Sequence, residues 1–141
     1  MSGLEFLLAM GRGELPLPPV MSTLGFDTRP PEAETGRVTF FLTPQEYHMN
    51  PIGSVHGGVY ATLLDSAMGC AVQTHLPAGV GYTTLELSVR FLKPLALGRE
   101  VRCEGVSVSV GRSVATAEGR ITDEGGRLYA TGATTCLILR P

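Results

Sequence analysis

The stretch Asn50–Gly69 combines residue types that could do chemistry together: a histidine, two glycines and a single acid. His56 is followed by two glycines, and a single carboxylate, Asp65, then stands in a run of residues with helical spacing. The positions around it on the same helical surface are apolar: Ala61, Leu64 and Met68. A mid-helix acid ordinarily lies on a solvated face, so this pattern favours a chemical role for Asp65 over a structural cap or ion pair. A carboxylate placed in this way can act as a general base or as a nucleophile.

If the group attacked is a carbonyl, a donor for the oxyanion that forms on it is also needed. The first N–H groups of a helix have no intrahelical partner, and the helix dipole adds partial positive charge there. We expect Gly57 to begin the helix, and a glycine lets a ligand come close to the backbone. The Gly57 N–H is therefore our predicted oxyanion donor. The sequence contains no G-x-S-x-G nucleophile elbow that would supply a serine instead.

The spacing of Gly57 and Asp65 sets a geometric condition. Eight residues of one helix separate them, which is about 12 Å at 1.5 Å per residue. Reacting groups lie about 3 Å apart, so the two residues of one chain cannot flank the same carbonyl. Either one assignment is wrong, or the two residues come from different chains. A two-fold dimer with antiparallel helices would bring Gly57 of one chain to Asp65 of the other, twice.

The surrounding elements follow from residue patterning. Residues 1–24 are predicted to form an arm, with a short amphipathic helix and a proline-rich extended connector, and residues 25–141 a single domain. Residues 37–43 predict a strand, and residues 56–75 the one long helix. Four antiparallel strands then follow with short connections: 82–94, 100–110, 113–123 and 127–139. One helix cannot cover both faces of such a sheet, and an edge strand is left bare, so an oligomer is expected.

In the first strand after the helix, apolar and polar residues alternate. One face is predicted to carry Leu85, Leu87, Val89 and Phe91, and the other Thr84, Glu86, Ser88 and Arg90.

The bulk composition excludes several classes. The formal net charge of −2 argues against nucleic-acid binding, which needs clustered basic charge. No segment reaches the ~18 apolar residues of a membrane span, and the N-terminus lacks the basic region of a signal peptide. Three widely spaced cysteines without a CxxC pair argue against disulfides or a zinc site, and indicate reduced thiols in the cytoplasm. No metal is expected.

Taken together, these residues resemble a known family. Asn50, the triplet His56-Gly57-Gly58, Asp65 and the strand TLELSVRFLKP are similar to the PaaI-like branch of the hotdog-fold acyl-CoA thioesterases. The resemblance covers roughly residues 25–139. It implies an α+β hotdog fold, in which an antiparallel sheet of five to six strands wraps a long central helix. It also implies a homodimer, commonly assembled further into a homotetramer.

The resemblance further implies an activity and roles for site residues. The expected reaction is hydrolysis of an acyl-CoA to free acid and coenzyme A without a cofactor. Small or aromatic acyl groups are favoured, with phenylacetyl-CoA or hydroxyphenylacetyl-CoA as possibilities. Asn50 would place its amide near the thioester or the attacking water, and His56 would orient the loop. Thr84, from the chain that carries Asp65, would hold the water or the carboxylate.

The substrate would need an acyl pocket and a basic rim for the coenzyme A phosphates. The acyl pocket is assigned to residues of the glycine loop and the helix: Val55, Gly58, Tyr60, Leu64 and Met68. The basic rim is assigned to Arg90, Lys93, Arg112 and Ser113.

Two alternatives remain open from the sequence alone. The first is a hydratase or dehydratase on the same fold, although these enzymes pair a histidine with an acid in a different motif. The second is a non-catalytic acyl-CoA-binding hotdog protein.

Overall fold

The computed structural model describes all 141 residues, Met1–Pro141, as one antiparallel sheet curved around a long helix. The helices are α1 (Gly3–Gly11), α2 (Pro19–Thr23) and α3 (Gly57–Gln73), with a 3₁₀ turn at Glu46–His48. The strands are β1 (Glu32–Glu34), β2 (Arg37–Leu42), β3 (Gly81–Phe91), β4 (Val101–Val110), β5 (Val114–Asp123) and β6 (Leu128–Leu139). This arrangement confirms the predicted central helix followed by four strands. The short strand β1 was not predicted.

The six strands lie in the order β1-β2-β4-β5-β6-β3. Every neighbouring pair is antiparallel. Strand β3 follows α3 in the chain but pairs only with β6, at the far edge of the sheet. Its other edge therefore runs unpaired along eleven residues. None of the helices has the length and hydrophobicity that crossing a bilayer requires.

A row of three glycines lets the sheet come close to α3. Gly105 on β4 is in register with Gly119 on β5, which is in register with Gly132 on β6. A Cβ built on Gly105 would overlap the backbone carbonyl of Ala67, so the backbones of β4 and α3 are in direct contact. Gly119 and Gly132 make room for the side chains of Leu64 and Met68, which are completely buried. The row thus determines which face of α3 turns to the sheet.

The N-terminal segment packs onto this core as two helices. Ser2 and Glu5 form a reciprocal capping box at the start of α1. The Gly3 N–H donates to the Leu76 carbonyl at 2.9 Å, which ties α1 to the end of α3. Leu7 on α1 and Met21 on α2 are buried, each with 1% of its surface exposed to solvent. The predicted extended connector is wrong over α2, because proline is favoured at the first position of a helix.

A β-bulge changes which residues of β3 face α3. The register with β6 shifts between Thr84 and Glu86, which leaves Leu85 unpaired and 59% exposed. One extra residue reverses the alternation on one side of the bulge. Thr84 therefore faces α3 together with Leu87, and Leu85 faces away. The predicted alternation is wrong at these two positions.

Candidate functional site

The start of α3 leaves one backbone amide free. His56 is the N-cap, and its Nδ1 accepts a hydrogen bond from the Gly58 N–H at 2.8 Å. The Val59 N–H donates to the His56 carbonyl at 3.0 Å. The N–H of Gly57, the first helical residue, has no partner within the chain. His56 therefore orients the loop, and the cap leaves the Gly57 N–H available to a ligand.

A groove of about 340 Å³ opens beside this amide. The ring of Phe91 covers Gly57 so closely that a Cβ there would lie 3.2 Å from Phe91 Cζ. Tyr60 packs edge-on against the same ring, with centroids 5.1 Å apart. The Tyr60 hydroxyl donates to the Lys93 carbonyl at 3.0 Å and accepts from the Leu95 N–H at 2.9 Å. The wall of the groove is therefore held in place by α3, and Lys93 also lines the groove.

Asn50 stabilises the loop before α3. Its Oδ1 accepts hydrogen bonds from the N–H groups of Ile52 and Ser54, each at 3.1 Å. Its Nδ2 donates to the Ser54 hydroxyl at 2.9 Å. The carbonyl end of this side chain is therefore used by the loop, and one amide proton remains for a ligand.

Asp65 lies eight residues further along α3 and is held by β3. The Thr84 hydroxyl donates to Asp65 Oδ1 at 2.8 Å, and the carboxylate is half-buried. The bulge at Leu85 makes this contact possible, because it turns Thr84 toward the helix. The second carboxylate oxygen, Oδ2, makes no hydrogen bond or ion pair within the chain, so it can take a proton or attack a carbonyl carbon.

Two further residues beside Asp65 were not predicted. Burial raises the pKa of the Cys70 thiol to about 12, opposed by a hydrogen bond with Tyr82 and reinforced by the Asp65 charge. Burial likewise raises the pKa of the Tyr82 phenol. Both groups are neutral at physiological pH, so Cys70 is not a thiolate nucleophile. The period of two along β3, which puts Tyr82 on the face of Thr84, could have identified Tyr82.

Gly69 explains how the Tyr82 ring reaches this position. A Cβ on Gly69 would lie 2.6 Å from the Tyr82 hydroxyl oxygen, so only glycine leaves room for the phenol over α3.

Asp65 and Gly57 open into different cavities. Asp65 lines an apolar cavity of about 230 Å³, whereas Gly57 lines the groove described above. Both residues lie on the one continuous helix α3, with a rise of about 12 Å between them. Within one protomer, the Gly57 amide and the Asp65 carboxylate therefore face separate cavities and do not meet.

The other predicted substrate residues divide into two groups. Val55 and Tyr60 line the Gly57 groove, and the Gly58 N–H is used by the His56 cap. Leu64 and Met68 instead face the glycine row of the sheet, are completely buried and reach neither cavity. Leu64 and Met68 therefore do not line the acyl pocket to which the sequence analysis assigned them. The apolar pattern around Asp65 arises from packing against the sheet.

The predicted coenzyme A residues are not brought together in one protomer. Arg90 lies on the outer face of the sheet, in a concave region that it shares with Arg120, Glu104 and Glu118. Arg112 and Ser113 form the β4–β5 turn, whereas Lys93 lies beside Gly57. None of the three basic residues forms an ion pair, so each is free to meet a phosphate.

The structure contains no group of three or more His, Cys, Asp or Glu side chains that could hold a metal ion.

Comparisons with known proteins identify the family. The model of the thioesterase superfamily matches residues 52–130, which include Gly57, Asp65 and Thr84. Human acyl-coenzyme A thioesterase 13 is 27% identical over 104 residues, covering 73% of this chain and 74% of that protein. A phenylacetic acid degradation-related protein from Ralstonia eutropha has 30% identity and a TM-score of 0.81, covering 93% of this chain and 98% of that one.

The PaaI protein of Escherichia coli shares the fold, with a TM-score of 0.82 at 16% identity over 98% of this chain and 96% of that one. The six-stranded sheet around α3 is thus the hotdog fold. The chain belongs to the thioesterase superfamily, as a PaaI-like hotdog thioesterase, and it is a thioester hydrolase.

Proposed function

We propose that this protein hydrolyses an acyl-CoA with a small or aromatic acyl group, at a site built between two protomers. Gly57 of one chain donates its N–H to the carbonyl oxygen, and Asp65 of the other chain attacks or activates water. The observation that carries this proposal is the pair of half-sites on α3. A free helix-terminal amide and a Thr84-bound carboxylate lie about 12 Å apart on the same helix.

The chemistry needs only these two groups. In the general-base route, Asp65 takes a proton from water while the oxygen adds to the thioester carbon. The Gly57 N–H stabilises the resulting oxyanion, aided by the positive end of the helix dipole. The C–S bond then breaks, and the proton on Asp65 passes to the departing thiolate of coenzyme A. In the alternative route, Asp65 attacks the carbon directly, and water then hydrolyses the mixed anhydride. Neither route needs a cofactor or metal.

The unpaired edge of β3 supports the dimer. Thr84, beside Asp65, lies toward one end of this strand, and Phe91, beside Gly57, ends it. Antiparallel pairing of two β3 strands about a two-fold axis places the Phe91 end of one strand near the Thr84 end of the other. Such pairing also removes an eleven-residue bare edge, which isolated sheets rarely leave uncovered. A homotetramer would require a second contact, for which the mixed charges around Arg90 on the outer sheet face are suited.

Lys93 is the best-placed residue for coenzyme A. It lines the Gly57 groove and is the only lysine in the chain. The phosphates of a coenzyme A that extends out of this groove could contact the Lys93 ammonium group. Arg90 lies on the opposite face of its sheet and cannot reach the Gly57 groove of its own protomer. The three free thiols support a reducing, cytoplasmic location.

The activity is tested with a panel of acyl-CoA thioesters, following thiol release optically. We expect phenylacetyl-CoA and short acyl-CoAs to be cleaved, and Asp65→Asn to lower kcat by about 10²–10⁴-fold. Undiminished hydrolysis by Asp65→Asn would refute the catalytic assignment. Ligand binding without hydrolysis by the native protein would favour the non-catalytic alternative, and hydration of an enoyl-CoA would favour the hydratase. A single turnover in ¹⁸O water distinguishes direct attack by Asp65 from attack by water. Direct attack transfers an unlabelled Asp65 oxygen to the acid, so that ¹⁸O enters the product acid only in later turnovers.

The shared site is tested by complementation between two inactive variants. A dimer of one Asp65→Ala chain and one Gly57→Pro chain retains one intact site, made from the unchanged Gly57 and the unchanged Asp65. Random assortment of equal amounts gives half mixed dimers, each with one site of two, so about a quarter of native activity should return. If both groups acted within one chain, mixing the variants would restore nothing.

A further inference from the structure

The N-terminal segment forms one wall of the cavity beside Asp65. This cavity, of about 230 Å³, lies between α1, α2, α3 and β3, and eight of its twelve lining residues are hydrophobic. One wall comes from residues that precede α3: Phe6, Leu7, Met10, Pro18, Val20, Met21 and Phe40. The facing wall carries Asp65 with Ser66, Cys70, Gln73 and Tyr82. An apolar chamber that contains the reactive carboxylate is suited to an acyl group and not to a phosphate.

Several contacts hold α1 in place within this wall, although the rim of the wall is exposed. The capping box and the hydrogen bond from Gly3 to Leu76 hold α1, and a Cβ on Gly3 would overlap the Gln73 carbonyl. In contrast, the large apolar side chains of Phe6 and Val20 line the cavity and remain 40% and 43% exposed. Exposed apolar side chains that line a pocket form a surface for ligand contact.

The volume limits the acyl group. An apolar protein cavity of about 150 Å³ accommodates benzene. The volume beside Asp65 is therefore sufficient for one aromatic ring with a short linker, or for an aliphatic chain of similar size.

We propose that Phe6, Met10 and Val20 are specificity-determining residues that set the length and width of the accepted acyl group. This inference rests on the proposed acyl-CoA hydrolysis. The three residues precede the region matched by the family model, which begins at residue 52 and contains the catalytic helix. The scaffold for the chemistry and the wall that selects the acyl group thus come from different parts of the chain.

The test compares variants that change the wall with one that does not. Phe6→Ala enlarges the cavity, and Val20→Trp narrows it. Leu8→Ala is the matched control, because Leu8 lies on α1, is 37% exposed and does not line the cavity. We expect Phe6→Ala to raise kcat/KM for an acyl group two carbons longer than the native optimum by about tenfold relative to that optimum. Val20→Trp should lower kcat/KM for phenylacetyl-CoA by about tenfold relative to kcat/KM for acetyl-CoA. Leu8→Ala should change neither of these two ratios.

A binding measurement separates this inference from the proposed reaction. Dissociation constants for non-hydrolysable S-alkyl-CoA thioethers of increasing length should follow the same order as the kinetic ratios. If the thioethers bind with that order but no thioester is cleaved, the catalytic proposal fails and the wall assignment stands. Thermal melting establishes that the wall variants are folded. If these folded variants give the same order of kcat/KM values and the same order of dissociation constants as Leu8→Ala, the wall assignment is overturned. The absence of any thioether binding would also overturn it.

Discussion

Replacing Gly57 by proline removes the proposed oxyanion donor with little other change. Proline is favoured at the first position of a helix, and the residue before it must be extended. His56, with φ −59° and ψ 136°, already satisfies that requirement. The Gly57 N–H makes no hydrogen bond within the chain, so the fold loses none. Gly57→Ala is the matched control, since it also places a Cβ 3.2 Å from Phe91 Cζ but keeps the N–H.

The two variants should differ by the contribution of one donor. Loss of a single oxyanion-hole donor costs about 10²–10³ in kcat, or roughly 2.7–4 kcal/mol of transition-state stabilisation. The atom closest to the added methyl group is Cζ at the far end of the Phe91 side chain, so a small shift of the ring relieves the contact. We therefore expect Gly57→Ala to lose less than about tenfold, which corresponds to 1.4 kcal/mol. Gly57→Pro should lose at least tenfold more than Gly57→Ala.

The assay is steady-state thiol release from the best substrate of the panel, with kcat and KM measured separately. Thermal melting and gel filtration establish that both variants keep the fold and the oligomeric state. The loss should appear in kcat, because the donor acts on charge that develops in the transition state. If the folded proline and alanine variants have equal kcat values, the Gly57 amide is not the donor and the split site is refuted.

Three further predictions concern the support of the site. Thr84→Val should lower kcat by about tenfold, because the carboxylate loses its hydroxyl donor, whereas Thr83→Val on the opposite face of β3 should not. Gly105→Ala should lower the free energy of unfolding by about 3 kcal/mol, measured by urea denaturation, because its Cβ would overlap the α3 backbone; Gly81→Ala, with open space around it, should cost little. The raised pKa of Cys70 means that the folded state holds this proton more tightly than the unfolded state. Its contribution to stability is therefore complete below about pH 9 and is lost between about pH 9 and 12, by roughly 1.4 kcal/mol per pH unit. Cys70→Ser should flatten this part of the profile, and an unchanged slope would contradict it.

Local patterning was enough to predict the elements that carry the site. The period of α3 and the alternation of the four later strands are properties of neighbouring residues, so they can be read along the chain. The same is true of the distance between Gly57 and Asp65, because helix rise per residue does not depend on the fold. That distance predicts a site shared between two chains, and the structure places the two residues in separate cavities of one protomer.

The orientation of side chains depended on partners far away in sequence. Both sides of α3 carry apolar or small residues, and the glycines of β4, β5 and β6 decide that Leu64 and Met68 face the sheet. A single bulged residue, Leu85, decides that Thr84 reaches the carboxylate, and its register is set by pairing with β6.

The sequence by itself determined that one helix carries a terminal amide and a mid-helix acid too far apart to act within one chain. Only the tertiary structure decided what surrounds each group. The residues that wall the cavity beside Asp65 come from α1 and α2, some fifty residues earlier in the chain. Short-range sequence preferences carry no information about such contacts. The contacts form because α1 and α2 bury apolar surface against the folded core instead of exposing it to solvent.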